Sequence, residues 1–151
     1  MNLYLVLCYF VIYAFLGWCT EVVFAAVDTG KFVNRGFLNG PICPIYGFGV
    51  VIIVILLMPV KENITMLFFG SVALTSALEL VTGWLLERLF HTKWWDYSDI
   101  PFNIGGYICL KFSLMWGIAC MVILNVIHPI IQDFVSRVDF EAGKIILGTA
   151  L

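Results

Sequence analysis

The stretch Asn34-Arg35-Gly36-Phe37-Leu38-Asn39-Gly40-Pro41-Ile42-Cys43-Pro44-Ile45-Tyr46-Gly47-Phe48-Gly49 decides how this chain is read. It holds four of the thirteen glycines, two of the five prolines, two asparagines and an arginine, and it stands between two long apolar runs. At membrane depth every backbone N–H and C=O must find a partner. Irregular backbone persists there only where protein buries it or water lines it. The stretch is therefore expected to form the floor or wall of a polar site inside a small membrane protein.

Composition supports the membrane. The chain has 151 residues, 62% hydrophobic and 12% charged, with a mean hydropathy of +1.03. Soluble domains carry roughly 25% charged residues, so a soluble all-α domain is set aside. A membrane helix needs about 20 largely apolar residues, and several stretches qualify. The expected fold is all-α, without a sheet: a polytopic helix bundle with four or five transmembrane helices in one membrane domain, 1–151. Its first helical hairpin covers about 3–59 and its second about 64–128. A C-terminal amphipathic segment or the start of a fifth helix follows over 130–151.

The formal charge of −2 identifies no partner, and the lack of a basic run argues against nucleic acid. Five cysteines show no CxxC pair. In apolar surroundings they read as small hydrophobes, so no metal and no cofactor is expected. The first apolar run lacks a basic start and continues to about Val27, too long for the core of a cleavable signal.

Span 1, about Leu3 to Val27, contains Gly17, Trp18 and Glu21. A carboxylate within a span is costly and marks a functional site by default. Span 2 begins near Ile45 and ends at Met58-Pro59. Its apolar half, Val50 to Met58, is too short to cross alone, so 40–49 must supply the rest as a broken helix or re-entrant turn. Span 3, about Ile64 to Phe90, places Glu79, Gly83 and Glu87 four residues apart on one face. Glu87 is next to Arg88 and suggests an interfacial ion pair. Residues 91–106, HTKWWDYSDIPFNIGG, bring an aromatic belt (Trp94, Trp95, Tyr97) and then Asp96, Asp99, Asn103 and a glycine pair. Span 4, about Tyr107 to Ile127, carries Lys111, which either snorkels or pairs with a glutamate. Asn125, His128 and Pro129 are expected to end it, with His128 as a capping or interfacial residue. Lysines and arginines favour an N-terminus outside only slightly.

An ungapped shift of 66 residues reveals an internal repeat: Gly17-Trp18 falls on Gly83-Trp84, Glu21 on Glu87, Phe24 on Phe90, Gly40 on Gly106, Ile42 on Ile108 and Cys43 on Cys109. Each half holds two spans, so the expected relation is a parallel repeat about an axis along the membrane normal.

LGWxxE at 16–21, NRGFLNGPICPIYGFG at 34–49 and WWDYSDIPFNIGGYICLKFSLMWG at 94–117 resemble the bacterial ABC-transporter type IV family, the CmpB-like membrane permeases. The resemblance covers about Tyr13 to Pro129. It implies an integral membrane subunit that works with a separate ATPase; no GxxxxGK[ST] is present in this chain. The matching positions are Trp18, Glu21, Asn34, Arg35, Gly36, Gly40, Pro41, Pro44, Tyr46, Gly47, Glu79, Trp95, Asp96, Tyr97, Asn103 and Gly106.

Three functions fit these residues. In the first, a permease in the bacterial inner membrane binds or translocates a small polar or amphiphilic substrate in a pocket between helices. Its substrate-binding candidates are Glu21, Asn34, Arg35, Tyr46, Glu79, Trp95, Asp96 and Asn103. Arg35 is expected to pair bidentately with a glutamate. Trp18, Gly36, Gly40, Pro41, Pro44, Gly47 and Gly106 are expected to shape the site, with Gly40 and Pro41 the least replaceable. The second is a membrane enzyme acting on a lipid or isoprenoid headgroup, although no nucleophile–base pair stands out. The third is a structural or regulatory subunit. Membrane lipids are expected partners, together with a second copy of the chain or partner membrane or ATPase subunits.

Overall fold

A computed structural model describes residues 2–138 together with Gly143 and Gly148. Among these residues the fold is all-α apart from one tiny ribbon. Helix α1 is Leu3–Thr29, α2 Pro44–Leu57, α3 Ile64–Phe90, α4 Leu110–Val122 and α5 His128–Arg137. Three helical stretches, Leu3–Thr29, Ile64–Phe90 and Leu110–Arg137, are long and apolar enough to cross a membrane, while Pro44–Val60 is apolar but shorter. Val23, Phe24, Phe69, Val81, Leu114 and Ile118 lie exposed along the long helices. A surface so rich in large apolar groups suits lipid rather than water.

Local signals set the helix ends. Asn2 Oδ1 accepts the Leu5 N–H at 2.9 Å, and Gly30, at φ 68°, closes α1 by donating its N–H to Ala26 O. Asn63 Oδ1 likewise accepts the Met66 N–H at 3.0 Å to open α3. His91, at φ 54°, closes it through an N–H bond to Glu87 O. Asparagine caps of this kind contribute about 1 kcal/mol each. Pro44 opens α2, where its missing N–H would have no helical partner anyway.

Two expectations are corrected. The chain does contain a sheet, of two strands: Asn103–Ile104 (β1) pairs antiparallel with Ile108–Cys109 (β2), with Asn103 opposite Cys109 and Ile104 opposite Ile108. Gly105 and Gly106, at φ 60° and 76°, make the turn, a conformation that glycine adopts without penalty. Nor does the last long helix end at Asn125, His128 and Pro129. It continues to Arg137 through a π turn at Ile123–Ile127, where the His128 N–H donates to Ile123 O. A proline ring collides with the carbonyl four residues back in a regular α-helix, and a wider turn just before Pro129 relieves that collision. His128 is buried within the chain and caps that π turn. The fifth-helix start expected over 130–151 falls largely outside the described residues.

The chain forms two compact units, 1–52 with 129–151, and 53–128. In the first, α1 meets the start of α2 through glycines. A β-carbon built on Gly17 would lie 2.4 Å from Tyr46 Cγ, and one on Gly47 2.7 Å from the Phe10 carbonyl oxygen. In the second, α3 packs on α4. Gly117 leaves room for Val72 and Phe68, and Ser76 Oγ donates to Ser113 Oγ at 2.8 Å. Membrane helices lack a hydrophobic drive to associate and approach closely through such small and polar residues.

Candidate functional site

The connection between α1 and α2 is irregular, with a tight turn at Phe37–Asn39 in which Leu38 and Asn39 take left-handed φ of 49° and 63°. Asn34 organises it. Its Oδ1 accepts the Trp18 indole N–H at 2.7 Å and the Gly36 N–H at 3.0 Å, and its Nδ2 donates to Asn39 O at 2.8 Å. The loop closes so tightly that a β-carbon on Gly36 would overlap Gly40 O. Cys43 N–H donates to Ala14 O at 2.9 Å, tying the loop's end to α1.

This framework brings Arg35 and Tyr46 to Glu21. Tyr46 OH donates to Glu21 Oε1 at 2.5 Å. Arg35 Nη1 stands 3.5 Å from Glu21 Oε2, and its guanidinium lies 5.7 Å from the Phe24 ring centre. The pair is one-armed, not the expected bidentate fork, because the guanidinium is shared with that ring. The Arg35 and Glu21 side chains are 40% and 29% exposed. Ion pairs so accessible add about 1 kcal/mol or less to stability. This one therefore does little to hold the fold.

In the second unit, Tyr97 OH donates to Glu79 Oε1 at 3.0 Å and Tyr107 OH donates to Glu87 Oε2 at 2.5 Å. Gly83, between the two glutamates, lets Tyr107 and Trp95 lie against α3. The pairings suggested for the nearby cations do not form. Arg88 lies over the Trp84 ring, 5.4 Å from its centre, and Lys111 Nζ is 5.6 Å from the Phe112 ring centre.

The connection 91–109 folds on its own polar groups. Trp95 Nε1 donates to Tyr107 O, Tyr97 N–H to Gly106 O, and Lys93 Nζ to Gly105 O. Asn103 Nδ2 donates to Ile100 O and Ser98 O, and its Oδ1 accepts the Gly106 N–H. Asp96 accepts both the N–H and the hydroxyl of Ser98. These two bonds, with Lys93 nearby, hold the Asp96 carboxyl below the usual aspartate range. A depressed value stabilises the folded loop above the ordinary aspartate pKa of about 3.9, and that contribution is lost as pH falls below it. Emission from Trp94 and Trp95 is expected to stay constant from neutral pH to about 4 and to change only below. Asp96→Asn should remove that acid step; a step below about pH 4 that survives unchanged in the variant would contradict it.

Of the candidate binding residues, Asn34, Trp95, Asp96 and Asn103 have polar atoms engaged by their own loops. Glu21, Arg35 and Tyr46 meet in the first unit. Glu79 and Asn103 belong to the second. Both units use one device: a glycine, a glutamate one turn later, and a tyrosine whose ring covers the glycine and whose hydroxyl bonds the glutamate. Gly17-Glu21 and Gly83-Glu87 obey the 66-residue shift, but Tyr46 and Tyr107 are 107 − 46 = 61 residues apart. Tyr46 comes from the first turn of α2, Tyr107 from the β1–β2 turn. Sequence reading missed Tyr107 as a glutamate partner and took Tyr97 for an interfacial belt residue. The available signal was a tyrosine following each GWxxE motif.

Membrane-length helices joined by folded polar connections define a small membrane protein. The chain belongs to the family described as Putative ABC-transporter type IV, whose model matches residues 8–151. No curated protein and no solved structure matches it.

Proposed function

We propose that the chain is a multi-pass permease component of the bacterial inner membrane, and that Glu21, Arg35 and Tyr46 bind a small polar or amphiphilic substrate. The observation that carries this reading is the half-exposed Glu21–Arg35 pair, presented by an irregular connection between two apolar helices. An anionic group of a substrate would turn to Arg35 and a cationic or hydroxyl group to Glu21. Asn34, Gly36, Pro41, Pro44 and Gly47 shape this site, while Trp95, Asp96, Asn103 and Gly106 order the other connection. Energy would come from a separate ATPase subunit, and a second copy of the chain would complete the permease. Membership of this family supports the transport class.

The test uses purified protein in detergent with a panel of amino acids, choline-type cations and short-chain phospholipids. At least one compound is expected to raise the melting temperature. Its Kd should rise about tenfold or more in Glu21→Gln and in Arg35→Gln, which corresponds to about 1.4 kcal/mol or more. Leu56→Ala, on the apolar half of α2, should leave it unchanged. A compound that binds both charge variants as well as the natural chain would sink the assignment of this site.

A further inference from the structure

We propose that Glu79 is a proton-binding site, a carboxylic acid that carries its proton on Oε2 at neutral pH. Glu79 lies 15 residues after Ile64 and 11 before Phe90, so it sits about 22 Å and 16 Å along the axis from the ends of α3. That is the middle of a membrane-length helix. Its Oε1 accepts from Tyr97 OH, whereas Oε2 is buried with no hydrogen-bond partner.

An ionised carboxylate presents two acceptor oxygens and no donor. Leaving one of them bare and buried costs far more when it shares a full negative charge than when it belongs to a neutral acid. The groups facing this carboxyl are the Tyr97 hydroxyl, from the connection, and the Trp116 side chain, from α4; both act on it as neutral hydrogen-bond donors, and neither meets hydrogen-bond geometry at Oε2. Neither is a cation. Among the described residues no lysine or arginine makes an ion pair with Glu79.

The contrast with Glu21 and Glu87 sharpens the inference. Glu21 has Arg35, a phenol and access to solvent. Glu87 has its phenol and lies in the last turn of α3. Of these three, Glu79 alone combines mid-helix depth with a buried oxygen that lacks a hydrogen bond. Release of the proton is an acid dissociation: the O–H bond at Oε2 breaks, the proton passes to water, and a carboxylate remains with Tyr97 OH bonded to Oε1. A membrane carboxyl of this kind is suited to couple proton movement to transport. The proposal rests on the transport reading only for that use, not for its chemistry.

Dicyclohexylcarbodiimide tests it without any substrate. A protonated carboxyl in apolar surroundings adds its O–H across one C=N bond, and the adduct rearranges to a stable N-acylurea that retains the whole reagent. The full chain in lipid nanodiscs is treated at neutral and alkaline pH and mapped by mass spectrometry. Glu79 should carry the adduct at least tenfold more than Glu21 or Glu87, and labelling should fall as pH rises. Infrared difference spectra, natural chain minus Glu79→Gln, should show a protonated-carboxyl C=O band at neutral pH, a readout that does not depend on reagent access. Absence of that band overturns the proposal whatever the labelling. So does equal labelling of the three glutamates, or protection of Glu79 by sodium, which would make the site one for a metal cation. Failure of the substrate-binding test at Glu21 would leave both readouts intact.

Discussion

Replacing Gly106 with alanine is expected to destabilise the protein by about 3 kcal/mol, whereas Gly40→Ala should cost about 1 kcal/mol or less. The internal repeat aligns these two glycines, but their environments differ. Gly106 has φ 76°, and a β-carbon there would lie 2.3 Å from Asp96 Oδ1 and 2.5 Å from Ser98 Oγ. An L-residue would suffer backbone strain and would also push apart the Asp96–Ser98 bonds that order the loop. Gly40 has φ −79°, and its nearest neighbour, Phe37 O, would be 3.3 Å from a new β-carbon. The steric demand in that loop falls on Gly36 instead, where a β-carbon would overlap Gly40 O. Gly36→Ala should therefore resemble Gly106→Ala. Thermal unfolding in detergent decides the matter: a drop of roughly 10 °C is expected for Gly106→Ala and Gly36→Ala, and a few degrees at most for Gly40→Ala. Equal effects at positions 40 and 106 would show that the tight contact around Gly106 does not govern stability.

Gly17→Val is expected to be the most damaging change within a helix, at about 3 kcal/mol, together with loss of the Glu21–Tyr46 bond. The atoms in the way are Tyr46 Cγ, Cβ and Cδ2, all within 2.6 Å of the new β-carbon. They belong to the root of the side chain, which cannot swing aside unless α2 moves. At Gly83, its counterpart in the repeat, the nearest atoms are Tyr107 Cδ1 at 3.0 Å and Trp95 Cζ2 at 3.1 Å. Small shifts of those rings accommodate a methyl, so Gly83→Ala should cost about 1 kcal/mol. Comparison of Gly17→Ala with Gly83→Ala removes any difference in side-chain size. The first should melt several degrees below the second. The reverse order would mean that α1 and α2 do not approach as closely as the Gly17–Tyr46 contact requires.

Most of the helical architecture was legible in the residues. A largely apolar run between Asn63 and His91, free of proline, defines α3, and the structure places it at Ile64–Phe90. The break before α2 follows from Gly40, Pro41 and Pro44, because a proline cannot sit inside a helix without losing a bond and crowding a carbonyl. The membrane class follows from composition, and the GWxxE repeat marks Gly17 and Glu21, Gly83 and Glu87. These features depend on chemistry carried by neighbouring residues, so one chain suffices to reveal them.

The partners of each glutamate depend on which distant atoms converge, and only the tertiary structure decided them. Tyr46 reaches Glu21 because Gly17 and Gly47 let two helices touch. Tyr107 reaches Glu87 because a glycine turn folds the chain back onto α3. Asn34 and Asn103 looked like substrate ligands, but they bond backbone groups of their own loops, and Asn34 the Trp18 indole as well, because a bent chain leaves N–H and C=O groups without helix or strand partners. Pro129 looked like a helix end, yet a π turn carries the chain past it. Glu79 and Glu87 share a face and a residue type; depth along α3 and the supply of donors, neither of which a linear sequence displays, leave one of Glu79's oxygens buried and unpartnered.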